Sequence, residues 1–162
     1  MRIVTMDPGS CVACRNCENA CAFRQARSFE RRESHIRVNF YPEERVCIPG
    51  TCLHCEDPWC QEVCPAGAIG RNSDTGAVQI DAERCAGCKM CLLACPCGAI
   101  RFDPQARVAR KCDLCGGDPQ CVKYCISGAL RFEEAEEAFA FRRAGFDARL
   151  RQLLGLGKGV RR

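Results

Sequence analysis

The stretch Cys85-Ala-Gly-Cys88-Lys-Met-Cys91-Leu-Leu-Ala-Cys95-Pro96 packs four cysteines into the spacing C-x2-C-x2-C-x3-C. Cys11, Cys14, Cys17 and Cys21 repeat it. Between and after these groups lie two looser ones. Cys52, Cys55, Cys60 and Cys64 read C-x2-C-x4-C-x3-C, and Cys112, Cys115, Cys121 and Cys125 read C-x2-C-x5-C-x3-C. Both looser groups carry Asp-Pro before the third cysteine, at Asp57-Pro58 and Asp118-Pro119. Tight–loose followed by tight–loose is the pattern of a duplicated unit. A tail recurs as well: Cys64-Pro-Ala-Gly-Ala-Ile69, Cys95-Pro-Cys-Gly-Ala-Ile100 and Cys125-Ile-Ser-Gly-Ala-Leu130.

The groups take sixteen of the eighteen cysteines in a chain of 162 residues. Cys97 stands where the other tails have Ala66 and Ser127, so it reads as structural. Cys47 has no counterpart in any group and reads as a small buried residue. Composition sets the rest of the frame. The 47% hydrophobic content includes every cysteine, so the carbon side chains alone give a thin core. What the cysteines bind must contribute to the fold. No run approaches a membrane span, and the segment before Cys11 has no apolar signal core, so the expectation is a soluble cytoplasmic chain. In that compartment patterned cysteines point to metal rather than to disulfides.

The spacing selects the metal centre. C-x2-C-x2-C wraps three thiolates around one [4Fe–4S] cube, and a fourth cysteine three residues on reaches a second cube. The x3 step is about one helical turn, long enough to carry the chain between clusters. Zinc sites use two C-x2-C pairs with a long gap, and here the third cysteine follows too closely. Four groups therefore predict two exchanging pairs and four [4Fe–4S] clusters. Hairpins are predicted around Asp74-Thr75-Gly76 and Asp103-Pro104-Gln105, each flanked by short apolar runs.

With these groups, and with Thr51-Cys-Leu-His-Cys-Glu-Asp-Pro58, Cys85-Ala-Gly-Cys-Lys-Met-Cys91 and Lys111-Cys-Asp-Leu-Cys-Gly-Gly-Asp-Pro119, the chain resembles a known family. It is that of the four-cluster ferredoxin-like electron-transfer subunits of molybdenum and tungsten oxidoreductases, with related hydrogenase and carbon monoxide dehydrogenase subunits. Its compactness is most similar to the small iron–sulfur subunits of tungsten-containing aldehyde oxidoreductases and of benzoyl-CoA reductase complexes.

The resemblance implies an α+β, duplicated two-cluster ferredoxin-like fold over residues 1–132, with short hairpins and short helices. It also implies a ligand exchange, first group with fourth and second with third. Cys11, Cys14, Cys17 and Cys125 would hold one cluster, and Cys112, Cys115, Cys121 and Cys21 the next. Cys52, Cys55, Cys60 and Cys95 would hold a third, and Cys85, Cys88, Cys91 and Cys64 a fourth. Proline is missing after Cys21 and Cys125, a departure that bears on potentials and exposure.

The function implied is a non-catalytic electron carrier. It would serve a tungsten- or molybdenum-dependent catalytic subunit, such as an aldehyde oxidoreductase, and pass electrons to a flavin- or nicotinamide-reducing subunit or a soluble acceptor. The alternatives are a free polyferredoxin, an electron-transfer subunit of a hydrogenase, formate or carbon monoxide dehydrogenase, and a maturation or redox-sensing protein.

No catalytic residue is expected. Asp and Glu are scattered, and the two histidines are isolated. His54 reads as a surface side chain or one packed behind the ligands. Trp59 and Tyr124 read as covers that keep water from the clusters, and Lys89 as a solvated lysine. Residues 133–162 read as a helical extension with Phe139, Phe146, Leu150 and Leu153 near one face. That helix is a candidate for docking on a partner or a second copy. The arginines of this tail follow acidic Glu133, Glu134, Glu136 and Glu137 without aromatic interleaving, so nucleic acid is not expected. The formal charge of +4 belongs to the empty chain; sixteen thiolates and four oxidised cubes, each about +2, take it to about −4.

Overall fold

The computed structural model describes residues 1–137. Its strands are β1 (Arg2–Met6), β2 (Arg37–Tyr41), β3 (Val46–Gly50), β4 (Ile69–Arg71), β5 (Val78–Ile80), β6 (Arg101–Asp103), β7 (Val108–Arg110) and β8 (Leu130–Glu134). The α-helices are α1 (Asn16–Ala26), α2 (Trp59–Glu62), α3 (Met90–Ala94) and α4 (Gln120–Lys123). Every sheet is an antiparallel pair: β1 with β8, β2 with β3, β4 with β5, β6 with β7. The fold is α+β, made of short pieces around the cysteine groups.

The two predicted hairpins form at β4–β5 and β6–β7, and side chains shape their turns. Asn72 Oδ1 accepts from the Asp74 and Thr75 amides, both at 2.9 Å, and Gly76 takes φ +70°. Asp103 Oδ1 accepts from the Gln105 and Ala106 amides at 3.0 Å.

Two lobes result. α1 packs on α4, and α2 packs on α3. The first and fourth cysteine groups thus share one lobe, and the second and third share the other. The first lobe's core holds Val4, Ile36, Val38, Leu114 and Leu130 together with Cys17, Cys21, Cys47 and Cys121. The second holds Ile69, Val78, Ile100 and Ala109 with Cys91. Carbon side chains are few in both, as the composition requires.

The β1–β8 pair closes the first lobe, aligning Val4 with Phe132 and Met6 with Leu130. β8 runs through Glu133 and Glu134, which the sequence pattern assigns to the helical tail. Pairing wins there: Thr5 Oγ1 donates to the Glu133 carboxylate. The Arg2 guanidinium donates to the Phe132 carbonyl at 2.6 Å and lies 4.2 Å from its ring centroid. Helical geometry begins at Ala135. The apolar positions predicted for the docking helix, Phe139 onward, lie outside the described residues. Among the described residues no helix is long and apolar enough to cross a membrane.

Candidate iron–sulfur centres

The backbone of each cysteine loop is bent by left-handed residues at fixed places. The residue before the second cysteine is left-handed in all four groups: Ala13 (φ 54°), His54 (φ 48°), Gly87 (φ 68°) and Leu114 (φ 56°). The residue after it is left-handed in both tight groups, at Arg15 (φ 60°) and Lys89 (φ 67°). Only one of these six is glycine, so the loop shape is imposed against a local cost of about 1–2 kcal/mol per residue. The glycines of the three tails, Gly67, Gly98 and Gly128, take φ 56°, 57° and 68°. Such bends turn amides toward sulfur. The His54 and Leu114 amides donate to Cys52 Sγ and Cys112 Sγ, both at 3.4 Å. The Ala68 and Ala99 amides donate to Cys64 Sγ at 3.3 Å and Cys95 Sγ at 3.4 Å. Elsewhere the His35 amide donates to Cys21 Sγ at 3.2 Å, and the Ala109 amide to Cys85 Sγ at 3.4 Å.

The cysteines gather in quartets drawn from paired groups. One cavity is bordered by Cys11, Cys14, Cys17 and Cys125. A second is bordered by Cys52, Cys55, Cys60 and Cys95, with Cys97 also on its edge. A third is bordered by Cys64, Cys85, Cys88 and Cys91. Cys121 is surrounded by Cys112, Cys21 and Cys115, the remaining four. Neighbouring quartets touch electrostatically in sequence: Cys17 acts on Cys121, Cys52 on Cys112, and Cys60 on Cys91. These couplings set which quartets are neighbours: the Cys11 set beside the Cys112 set, that beside the Cys52 set, and that beside the Cys85 set.

Burial dominates the acidity of these thiols. It pushes Cys17 and Cys112 up to about 12 and Cys91 to about 11, and raises Cys60, Cys115 and Cys121 as well. Such thiols hold their protons at neutral pH and become ligands only against a compensating positive centre. Among the described residues no His, Cys, Asp or Glu set converges on a single metal ion. A tetrahedral zinc with Zn–S of about 2.3 Å needs sulfurs about 3.8 Å apart. All eighteen cysteines are free of disulfides. Four thiols around a cavity, amides aimed at sulfur and an apolar lining fit an iron–sulfur cluster.

The remaining side chains depart from the sequence reading in places. Cys47 is buried in β3, as expected, and Cys97 is exposed. Of the two places expected for His54, the structure takes the one behind the ligands: it is 0% exposed. Its Nδ1 accepts from the Val78 amide at 3.0 Å, and burial, then the Lys111 charge, lowers its pKa to about 3. Lys111 is buried too, and its ammonium donates to the Val78 carbonyl. Lys89 is not merely solvated: its Nζ sits 4.4 Å from the Phe102 ring centroid. Trp59 and Tyr124 are 67% and 58% exposed, and Trp59 borders the Cys52 cavity. Sequence reasoning passes over Lys111. Its signal is a cation directly before the first cysteine of a group, where the other loose group has Thr51.

A model of the 4Fe-4S dicluster domain matches residues 44–135. The chain belongs to that family. The match holds the second, third and fourth cysteine groups, and the first lies before it. The iron–sulfur protein of Rhodospirillum rubrum is 34% identical over 129 residues, covering 69% of this chain and 67% of that protein. A sulfite dehydrogenase subunit of Allochromatium vinosum is 43% identical over 88 residues, 54% of this chain and 37% of that one. Formate hydrogenlyase subunit 2 of Escherichia coli is 40% identical over 101 residues, 62% of this chain and 48% of that one. The chain thus spans less than half of the length of the last two relatives. Among solved structures it is similar to a chain of the active site complex BamBC of benzoyl coenzyme A reductase, at 22% identity and TM-score 0.46. That alignment covers 92% of this chain and 91% of the other.

Proposed function

We propose that this member of the dicluster family is a non-catalytic electron-transfer subunit with four [4Fe–4S] clusters in a row. The observation that carries the reading is the succession of neighbouring cysteine quartets, each drawing three sulfurs from one group and one from its partner group. Cys11, Cys14, Cys17 and Cys125 hold the first cluster, and Cys112, Cys115, Cys121 and Cys21 the second. Cys52, Cys55, Cys60 and Cys95 hold the third, and Cys85, Cys88, Cys91 and Cys64 the fourth. Bound there, a cube supplies a one-electron couple whose potential is set by hydrogen bonds, charge and exposure. The chain's own residues supply those settings. Amides of His35, His54, Ala68, Ala99, Ala109 and Leu114 donate to ligand sulfurs, which favours the more negative state. Apolar side chains such as Val4, Val78, Ile69 and Leu130 keep water from the quartets.

The partner is a catalytic subunit of an oxidoreductase complex. The likeness to formate hydrogenlyase subunit 2 and to the Escherichia coli electron transport protein HydN, 36% identical over 104 residues, favours a hydrogenase- or formate-linked complex. It does so over the tungsten aldehyde oxidoreductase drawn from the sequence alone. A flavin- or nicotinamide-reducing subunit or a soluble carrier is the second terminus, in a reducing cytoplasmic setting. Residues 133–162 are the proposed docking segment. Native copurification followed by mass spectrometry tests the assembly, and a large redox-cofactor subunit is the expected companion. Potentiometric EPR tests the row: four reversible one-electron couples are expected, and redox-inert clusters would refute the carrier.

A further inference from the structure

The imidazole of His54 has one satisfied end and one orphaned end. Nδ1 accepts the Val78 amide hydrogen at 3.0 Å, so in the neutral ring the proton sits on Nε2. Nε2 is buried and has no protein partner. A buried N–H without an acceptor costs about as much as a lost hydrogen bond, so its position calls for an explanation. The ring borders the cavity of Cys52, Cys55, Cys60 and Cys95, whose lining is otherwise almost wholly apolar. Lys111 borders the same cavity. Both side chains are fixed by one residue, because the Val78 amide holds His54 and the Val78 carbonyl holds the Lys111 ammonium. The loop of the other lobe lacks this device. There Leu114 fills the equivalent left-handed position, fully buried.

We infer that His54 Nε2–H donates a hydrogen bond to the cluster held by Cys52, Cys55, Cys60 and Cys95 and raises that cluster's potential. The inference rests on the cluster assignment proposed above. His54 makes no bond to iron and carries no electron; it acts on the cluster through its N–H alone. Its N–H bond strengthens as the acceptor sulfur gains negative charge on reduction, so it favours the reduced state. Val78 fixes the ring in the tautomer that has this proton to give.

The test uses the full chain with clusters reconstituted, His54→Leu, His54→Gln, iron analysis and potentiometric EPR. In His54→Leu one of the four couples is expected to become about tenfold harder to reduce, about 59 mV lower for a one-electron step. Iron content stays that of the wild type. His54→Gln, which keeps an N–H, recovers part of the shift. Equal shifts in both variants, or none, overturn the hydrogen bond while leaving the four-cluster reading intact. A wild-type chain whose iron falls one cluster short, with the Cys52 set empty, overturns the cluster assignment and the inference with it. Pulsed EPR with ring-15N histidine adds a direct readout, and His54→Gln separates His54 from His35, whose ring also has a buried unpartnered nitrogen. A nitrogen coupling to a reduced cluster is expected, and its absence overturns the proposal even if His54→Leu does not load.

Discussion

The Cys52–Cys55 and Cys112–Cys115 loops follow the same backbone course and are filled differently. Each has a left-handed residue before its second cysteine, and each turns that residue's amide onto the first sulfur at 3.4 Å. One position holds an imidazole and the other a leucine; the residue before the loop is Thr51 in one and Lys111 in the other. Both copies bury what they carry. On the proposed assignment, the shared backbone course would set where a cluster sits, and the differing buried side chains would set how readily it takes an electron.

The largest expected effect separates the lobes outright. Val4 and Val78 are 0% and 1% exposed and sit in the cores of opposite lobes. Val4→Asp places an unpaired carboxylate in the first core and is expected to cost several kcal/mol. Iron analysis should show the loss of the clusters of the first and fourth groups, about half the metal. Val78→Asp should remove the other half. Loss of all iron in either variant would mean that the lobes load as one unit, and the comparison would fail.

Next in size are the buried ligands Cys121 and Cys91, one in each lobe. Serine at either is expected to remove about four of about sixteen iron atoms, with the EPR signal of only one couple lost.

Gly87 and Ala13 sharpen the comparison between the tight loops. They hold equivalent left-handed positions, but a Cβ on Gly87 would lie 2.5 Å from the Arg107 carbonyl oxygen. Gly87→Ala is expected to lower stability by about 1–3 kcal/mol, read as a drop in the melting temperature of the holo protein. Ala13→Gly, which relieves a left-handed alanine, should leave that temperature unchanged or slightly higher. The smallest effect belongs to Asp118, whose contact with Lys123 at 2.6 Å is at the surface. Asp118→Ala should change neither melting temperature nor iron content, and a measurable loss would show that the Asp-Pro step is structural rather than incidental.

Much of this arrangement is legible in the cysteine spacing, because a ligand set is a local pattern with few solutions. The hairpins at Asn72–Gly76 and Asp103–Arg107 are legible for the same reason: turn residues mark them. The pairing of Arg2–Met6 with Leu130–Glu134 is not. It joins the two ends of the described chain, and an acidic Glu133-Glu134 step reads as the start of a helix until a partner strand is supplied. β2–β3 is equally hidden, with Pro49 inside a strand, a residue tolerated there at a sheet edge. The sequence leaves His54 between the surface and the interior and does not mark Lys111 as buried, because both are polar. What draws them inside is the two free hydrogen-bonding groups of Val78, set by a hairpin that lies 24 residues after one and 33 before the other.

The β1–β8 pair has a consequence for synthesis. A chain emerging from the ribosome presents the second and third cysteine groups and their hairpins well before Leu130–Glu134 appears. The lobe of the second and third groups can therefore close early, on contacts near in sequence. The lobe of the first and fourth must wait, with Cys11, Cys14 and Cys17 exposed, until its last strand arrives. Assembly of the metal row would then start at the end built from the middle of the chain and finish at the end where the first and last ligands meet.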